Sequence, residues 1–483
     1  MDDTAAASPE TGVAILTGEQ AQNGFCCPEI VGCRRRVPLL DGRWVPQIFL
    51  DNAASTKPFR AVCDFLLDMQ HYYSNIHRGT GFDSVFCTDR YEEARRIIGD
   101  FVGWDRSKDV VIPVRNTTEG LNLLANTIPF ASGDRVLITF LEHHSNDLPW
   151  RGKARVEYIP VDESGQIDLD VLERRLDPAD GPVRVVSCTG ASNVTGTVLP
   201  IHEIAALAHR GGALMVVDGA QIVPHRRLRM RPHDDPGHLD FVVFSAHKMN
   251  SPFGEGAVVG RRDLFAEAVP YLQGGGTVYS VSLDHVVWAD PPDRQEAGTP
   301  NVLGMFAMAK AIQVMEEVGM ERVEAHEAGL TSLLLRGIRS IREVAVFGGR
   351  DPEDVKSRLG VVSFMVADVP HGLVASILSF EWGIAVRSGC FCAHPLIKRL
   401  LNVTREQERL FEEEIRNGDR RNTPGAVRAS LGLHNTQDDV ETLLEALGVI
   451  AAKGWRGDYV QNATSGEFHP KDFRFDFSHL PGF

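Results

Sequence analysis

The chain has 483 residues, with 65 acidic against 50 basic side chains, a formal charge of −15 and a hydrophobic share of 43%. That length is too great for one ordinary core and calls for two or three packed units of a soluble globular protein. The acidic balance gives no electrostatic reason to bind nucleic acid or an anionic membrane. No apolar run approaches the roughly 18 residues of a membrane span. The start, Met1-Asp2-Asp3, lacks the basic segment and apolar core of a secretion signal, so a cytoplasmic protein is expected. Eight cysteines in a reducing compartment predict no disulfide framework, and none lies in a paired Cys-x-x-Cys array, so no metal site is expected.

Residues 1–46 read as an N-terminal arm, rich in Ala, Gly and polar residues and without helical or strand period. The run Gln47-Ile48-Phe49-Leu50 predicts a strand that enters a turn at Asp51-Asn52. A helix follows at 89–102, a buried strand at 109–114 and another at 135–139. Further apolar runs at 184–187, 214–217 and 241–244, with a helix at 201–209, continue the alternation. Strand and helix in turn predict an α/β fold, with residues 47–312 forming a large domain on a mostly parallel sheet. A smaller C-terminal α/β domain is expected over 313–453, with a charged helix at 314–326, a strand at 360–366 and a closing helix at 440–452. The tail 454–483, rich in Phe, Asp and Pro, is expected to lie extended on the surface.

Two of these strands end in chemistry. Phe241-Val242-Val243-Phe244 runs into Ser245-Ala246-His247-Lys248, and ligands of open α/β sheets sit at the carboxyl ends of strands. A partly desolvated lysine there supplies the neutral amine that an imine requires, although most lysines in such places are simply solvated. Leu214-Met215-Val216-Val217 likewise ends in Asp218, with Gln221 three residues on. A carboxylate so placed can pair with a protonated pyridine nitrogen, and Gln221 can bond the phenolic oxygen of the same ring; a helix-capping aspartate is the plainer reading. In Asn116-Thr117-Thr118-Glu119, Thr117 or Thr118 is expected to cap a helix whose free N–H groups can hold an anion. In Glu142-His143-His144-Ser145-Asn146, one of the histidines can stack on a flat ring.

Together these segments resemble the class V aminotransferase family of fold-type I pyridoxal-5'-phosphate (PLP) enzymes, and within it the group II cysteine desulfurases and selenocysteine lyases. The resemblance runs in order through Asp51-Asn52-Ala53-Ala54, Asn75-Ile76-His77-Arg78, Ala191-Ser192-Asn193-Val194, Glu296-Ala297-Gly298-Thr299 and Arg428-Ala429-Ser430, covering about residues 48 to 450. It implies that Lys248 holds PLP and carries protons, that Asp218 faces the pyridine nitrogen and Gln221 the phenolate, and that His143 stacks over the ring. It implies phosphate ligands in Thr117, Thr118, Ser245 and His247, with Thr299 donated to the other subunit of a homodimer. Asn193 and Arg428, with Arg387 and His77, match the groups that bind substrate carboxylate, for which a planar guanidinium is suited.

The segment Arg387-Ser388-Gly389-Cys390-Phe391-Cys392-Ala393-His394 is similar to the group II loop whose cysteine accepts sulfur, in the register that selects Cys392. Arg387 and His394 are at hand to favour a thiolate. The expected reaction removes sulfur from L-cysteine or a related derivative, leaves a persulfide on Cys392 for an acceptor protein, and releases L-alanine. Departures from the pattern are Cys390, Met249-Asn250, Glu255 and His434, and the Gly-Cys-Phe-Cys form resembles molybdenum-cofactor sulfurases. The alternative is a PLP-dependent C–S lyase or decarboxylating deaminase acting on a cysteine S-conjugate, which needs no cysteine nucleophile.

Overall fold

The computed structural model describes residues 25–482. Seven strands form the large sheet: β1 (Asp109–Val114), β2 (Arg135–Thr139), β3 (Arg155–Ile159), β4 (Val183–Thr189), β5 (Leu214–Asp218), β6 (Phe241–Ser245) and β7 (Gly256–Arg261). Their order is β1-β7-β6-β5-β4-β2-β3. Only β7 runs antiparallel to its neighbours, and the other pairings are parallel. Strands β2, β5 and β6 consist of apolar runs because both faces are covered, and separate apolar clusters pack above and below. Helix α1 (Phe82–Val102) lies in one layer with α4 (Val302–Val318), and α2 (Thr117–Thr127) and α3 (Ile201–Arg210) pack directly on the sheet. At Gly120 of α2 a Cβ would lie 2.4 Å from Val243, so only glycine lets this helix approach β6 so closely.

A second core surrounds a four-stranded antiparallel sheet of β8 (Val344–Val346), β9 (Val361–Val366), β10 (Arg387–Gly389) and β11 (Ala426–Ser430), ordered β8-β9-β11-β10. Helices α5 (Met320–Arg339), α6 (His371–Trp382), α7 (His394–Leu400), α8 (Arg405–Arg416) and α9 (Gln437–Ala451) complete this part of the chain. Ile48 and Leu50 belong to the second core, and Ile48–Phe49 pairs in parallel with Ile384–Ala385. The turn at Asp51-Asn52 therefore lies between the two sheets.

Several expectations differ from the structure. Helix α1 starts seven residues before 89, after Gly81 in extended conformation. The expected charged helix at 314–326 is two helices, α4 and α5, because Gly319 takes a left-handed φ of 90° and breaks the run. Within the arm, Arg36–Pro38 and Trp44–Pro46 form a hairpin, too short to leave a period in the sequence. The tail forms a second hairpin, Tyr459–Gln461 with Phe468–Pro470, and then stacks Phe475 on Phe380 of α6 at 4.8 Å. The part of the expected arm at residues 1–24 lies outside the described residues. Among the described residues no helix is long and apolar enough to cross a membrane.

Candidate active site

Neighbouring parallel strands β5 and β6 end side by side, with Asp218 in register with Val243. Their carboxyl ends bring Asp218 and Lys248 to one place, as expected of an open α/β sheet. Lys248 is the last residue of a short 3-10 turn, Ala246–Lys248. The turn after Asp51 holds that loop from below: Thr56 N–H donates to the His247 carbonyl at 2.8 Å, and Asn250 N–H donates to Thr56 Oγ1 at 2.7 Å.

Among the described residues Lys248 Nζ makes no hydrogen bond, and burial pushes its ammonium down to about 8, against the opposing pull of Asp218. Asp218 is 3% exposed and accepts one backbone bond, from Ala220 at 3.0 Å. Burial raises its carboxyl above the usual range, so a cationic donor is needed to hold it ionised. Gln221 donates to the Ala53 carbonyl at 2.9 Å while its Oε1 is buried without a partner. His143 Nδ1 accepts the Ser145 N–H at 3.1 Å, which leaves the ring hydrogen on Nε2. Burial and then the nearby Lys248 charge lower the His143 pKa to about 3, so the ring is neutral near pH 7.

Helix α2 begins beside this group. The residue that caps it is Asn116, whose side chain accepts the Glu119 N–H at 3.0 Å; neither Thr117 nor Thr118 does so. An asparagine in extended conformation directly before the first turn is the favoured cap, and this frees both threonines to face their neighbours. Thr117 Oγ1 lies 2.6 Å from Ser245 Oγ, and Thr118 Oγ1 lies 2.7 Å from Ser145 Oγ. His247 is half-buried, and burial lowers its pKa to about 4.

These residues fit PLP. A neutral amine, a buried carboxyl short of a cationic partner, a flat neutral imidazole and a hydroxyl-rich helix start match in turn an aldehyde, a pyridine nitrogen, a ring face and a phosphate.

The cysteine loop closes over the same place. Phe391 and Cys392 have left-handed φ angles of 51° and 54°, which side chains rarely adopt. Two bonds hold them there: His144 N–H donates to the Cys392 carbonyl at 2.8 Å, and Asn193 Nδ2 donates to the Phe391 carbonyl at 2.8 Å. The Cys392 residue is exposed, on the loop that Asn193 ties to the Arg428 site. Cys390 faces away, donating to the Pro424 carbonyl at 2.9 Å, and burial pushes its thiol up to about 11. Cys390 is therefore protonated and poorly nucleophilic near pH 7.

Arg428, 3% exposed, lies over the Phe391 ring at 4.9 Å and donates to the Asn193 carbonyl at 3.0 Å. Arg387 is its direct partner across β10 and β11. Like charges so placed repel. Asp51 relieves this by bonding Arg428 at 3.1 Å with one oxygen and Arg387 at 3.0 Å with the other. Sequence reasoning missed Asp51 in this role; its signal was a carboxylate directly after a strand. It also missed Glu142, a buried carboxyl that accepts bonds from Thr139, Asn146 and the Thr189 N–H. Burial raises the Glu142 pKa to about 8.

Two expected residues lie elsewhere. His77 is held by Glu92 of α1 at 2.9 Å, and Arg95 and Tyr91 of the same helix bind Glu296 at 2.7 Å each. Glu296 begins the segment carrying Thr299, which is exposed. That segment is tied to the lysine loop by Asn301, which donates to the Phe253 and Gly254 carbonyls at 3.1 Å. Glu255, the departure in that loop, is buried beside Glu296, and burial pushes its pKa up to about 9.

A seven-stranded, mostly parallel sheet with a lysine and an aspartate at adjacent strand ends, and a smaller antiparallel unit closing over them, is the architecture of fold-type I PLP enzymes. The aminotransferase class-V family model matches residues 48–443, and the chain belongs to that family. It is 33% identical over 416 residues to a cysteine desulfurase of Haloferax volcanii, covering 84% of this chain and 90% of that protein. Its fold is similar to the apo cysteine desulfurase of Thermococcus onnurineus, with a TM-score of 0.74 and 32% identity over 84% of this chain and 95% of that one. It is also similar to an Escherichia coli cysteine desulfurase in its S-sulfonic acid form, with a TM-score of 0.70 and 26% identity over 85% and 96% of the two chains.

Proposed function

We propose that the protein is a PLP-dependent cysteine desulfurase in which Cys392 takes sulfur from L-cysteine. The observation that supports this reading most is the placement of the Cys392 thiol. It is exposed on a loop held in an unfavourable backbone conformation by His144 and by Asn193, whose own carbonyl accepts from Arg428. Strain kept at one residue by surrounding bonds is a mark of a reacting group.

PLP, when bound, supplies an electron sink for the charge that develops at the substrate α-carbon. Lys248 is its anchor and, as a neutral amine, the base that moves the α-proton. Asp218 would keep the pyridine nitrogen protonated, Gln221 would bond the phenolic oxygen, and His143 would cover the ring face. Thr117, Thr118, Ser245 and His247 would hold the phosphate. Arg428, seated by Asp51, takes the substrate carboxylate, with Arg387 at the rim and Asn193 fixing the loop beside it. Cys392 thiolate attacks the substrate sulfur. The S–S bond forms as the C–S bond breaks, and the bonding pair passes to the substrate β-carbon, which is then protonated. L-alanine leaves and a persulfide remains on Cys392 for an acceptor protein.

The working unit in this reading is a cytoplasmic homodimer, built from a large domain at 47–312 and a smaller one at 313–453. The exposed Thr299 segment and the hairpin of Val278–Val281 with Val286–Trp288, where Tyr279, Val281 and the turn residue Leu283 are solvent-facing, form a surface suited to a second copy. Thr299 then reaches the partner's phosphate, and His77, on the same side of the chain as Glu296, serves the neighbouring site.

Product analysis with Cys392→Ala tests the function. Desulfuration predicts that alanine and persulfide production from L-cysteine are both lost while bound PLP keeps its visible absorbance. Release of pyruvate, ammonia and sulfide by Cys392→Ala at the wild-type rate, in place of alanine, overturns it in favour of elimination by a C–S lyase.

A further inference from the structure

At the opposite end of β6 from Lys248, three side chains converge that the reaction does not use. His209, in the last turn of α3, places Nε2 at 2.9 Å from Asp240 Oδ2. His238 places Nε2 at 3.4 Å from Asp240 Oδ1. The possible ligand atoms of all three lie within 4.8 Å of one another, and Asp240 is only 1% exposed.

The hydrogen bonds on the far side of each ring decide what these atoms offer. His209 Nδ1 is 2.8 Å from the Pro236 carbonyl, and His238 Nδ1 is 3.1 Å from the Asp235 carbonyl. A carbonyl only accepts, so both Nδ1 atoms carry a hydrogen, and each ring in its neutral form turns the lone pair of Nε2 towards Asp240. A carboxylate also only accepts. Two lone pairs and an anion therefore face one another, and that arrangement requires a positive charge between them. Histidine bound to a metal through one nitrogen, with the other donated to a backbone carbonyl, is the usual way in which proteins fix such ligands.

We propose that His209, His238 and Asp240 form a site for a divalent transition-metal ion of the zinc class, with water completing the coordination. Two imidazoles and one carboxylate are a normal donor set for that ion. The alternative positive charges are two extra protons, or Arg261, whose guanidinium is 3.5 Å from Asp240 Oδ1. Arg261 is already paired with Asp263, so it can yield that long contact. Asp240 also accepts the Met215 N–H at 2.8 Å, which fixes the carboxylate in place. His233 stacks on His238 at 5.1 Å and is itself bound to Asp109 at 2.9 Å, so it steadies the ring without being a ligand. A metal here joins the end of α3, the 235–240 loop and the start of β6, which is a structural clasp remote from the reacting groups.

The test uses PLP-loaded protein carrying Cys26→Ser and Cys392→Ser, which removes the two exposed thiols among the described residues as rival ligands, dialysed against Zn²⁺. One zinc per chain is expected, and its loss is expected in His238→Phe, which keeps the ring stack but offers no lone pair. PLP absorbance, unchanged between the two, shows that both are folded. Equal zinc content in the two proteins, or none in either, overturns the proposal. Should His238→Phe fail to fold, the parent's Co²⁺ spectrum decides. Visible bands without a thiolate charge-transfer band support the site, and a thiolate band or no bands at all overturns it.

Discussion

Asn193→Ala isolates the bond that holds the cysteine loop. In the wild type the Asn193 amide donates to the buried Phe391 carbonyl at 2.8 Å. Phe391 and Cys392 both occupy the left-handed region, where a side chain costs ~1–3 kcal/mol per residue. The substitution leaves that carbonyl unpaired, at a cost of ~1–3 kcal/mol, and lets the loop relax out of its strained form. A shift of ~1–3 kcal/mol in the population of the held loop corresponds to a loss of ~5- to 150-fold. The expected outcome is a fall of that size in kcat for alanine formation from cysteine, measured per bound PLP, with a smaller change in KM. Alkylation of Cys392 by iodoacetamide should become faster at the same time, because the loop opens. If kcat and the alkylation rate both stay within twofold of wild type, the loop is not held by this bond and the reasoning fails.

Lys248→Ala is expected to remove the borohydride-sensitive absorbance near 400 nm and all turnover; persistence of either contradicts its anchoring role. With Asp51→Asn the two facing guanidiniums lose their shared counter-ion. Breaking charged hydrogen bonds at a mostly buried site costs ~1.5–3 kcal/mol, seen as a lower denaturant midpoint and a higher KM for cysteine. Unchanged values of both would show that Asp51 is a bystander. Glu142 binds more protons folded than unfolded between its ordinary pKa and about 8, so the wild type should lose stability relative to Glu142→Gln as pH rises from 5 to 8. Melting temperatures of the two proteins across that range check the sign, and a constant gap refutes it. His143 is neutral well below pH 5, so the acid limb of a kcat profile between pH 5 and 7 should persist unchanged in His143→Gln, whatever the fall in rate.

The elements that were legible in the sequence were those whose burial leaves a pattern. Strands β5 and β6 are continuous apolar runs ending in a polar residue, so both the strand and its functional end could be read together. The order of motifs from Asp51 to Arg428 did the same for the family. What escaped depends on long-range meetings or on single backbone angles. Gly319 splits a helical pattern only because its φ is positive, and the two hairpins at 36–46 and 459–470 have strands of three residues, too short for a period. Asp51 reads as an ordinary turn residue until Arg387 and Arg428 are seen beside it. The His209, His238 and Asp240 cluster left no spacing signal, because a helix end and a loop contribute its members separately and no metal site was expected.

The pairing of Ile48–Phe49 with Ile384–Ala385, and of Asn52 with the Ser430 carbonyl 378 residues away, has an effect on how the molecule matures. Asp51 is made long before its two arginine partners, Arg428 following it by 377 residues. A chain made only as far as the large sheet therefore lacks both guanidiniums and the Cys392 loop. The contacts between the two cores close only after that sheet has been synthesised.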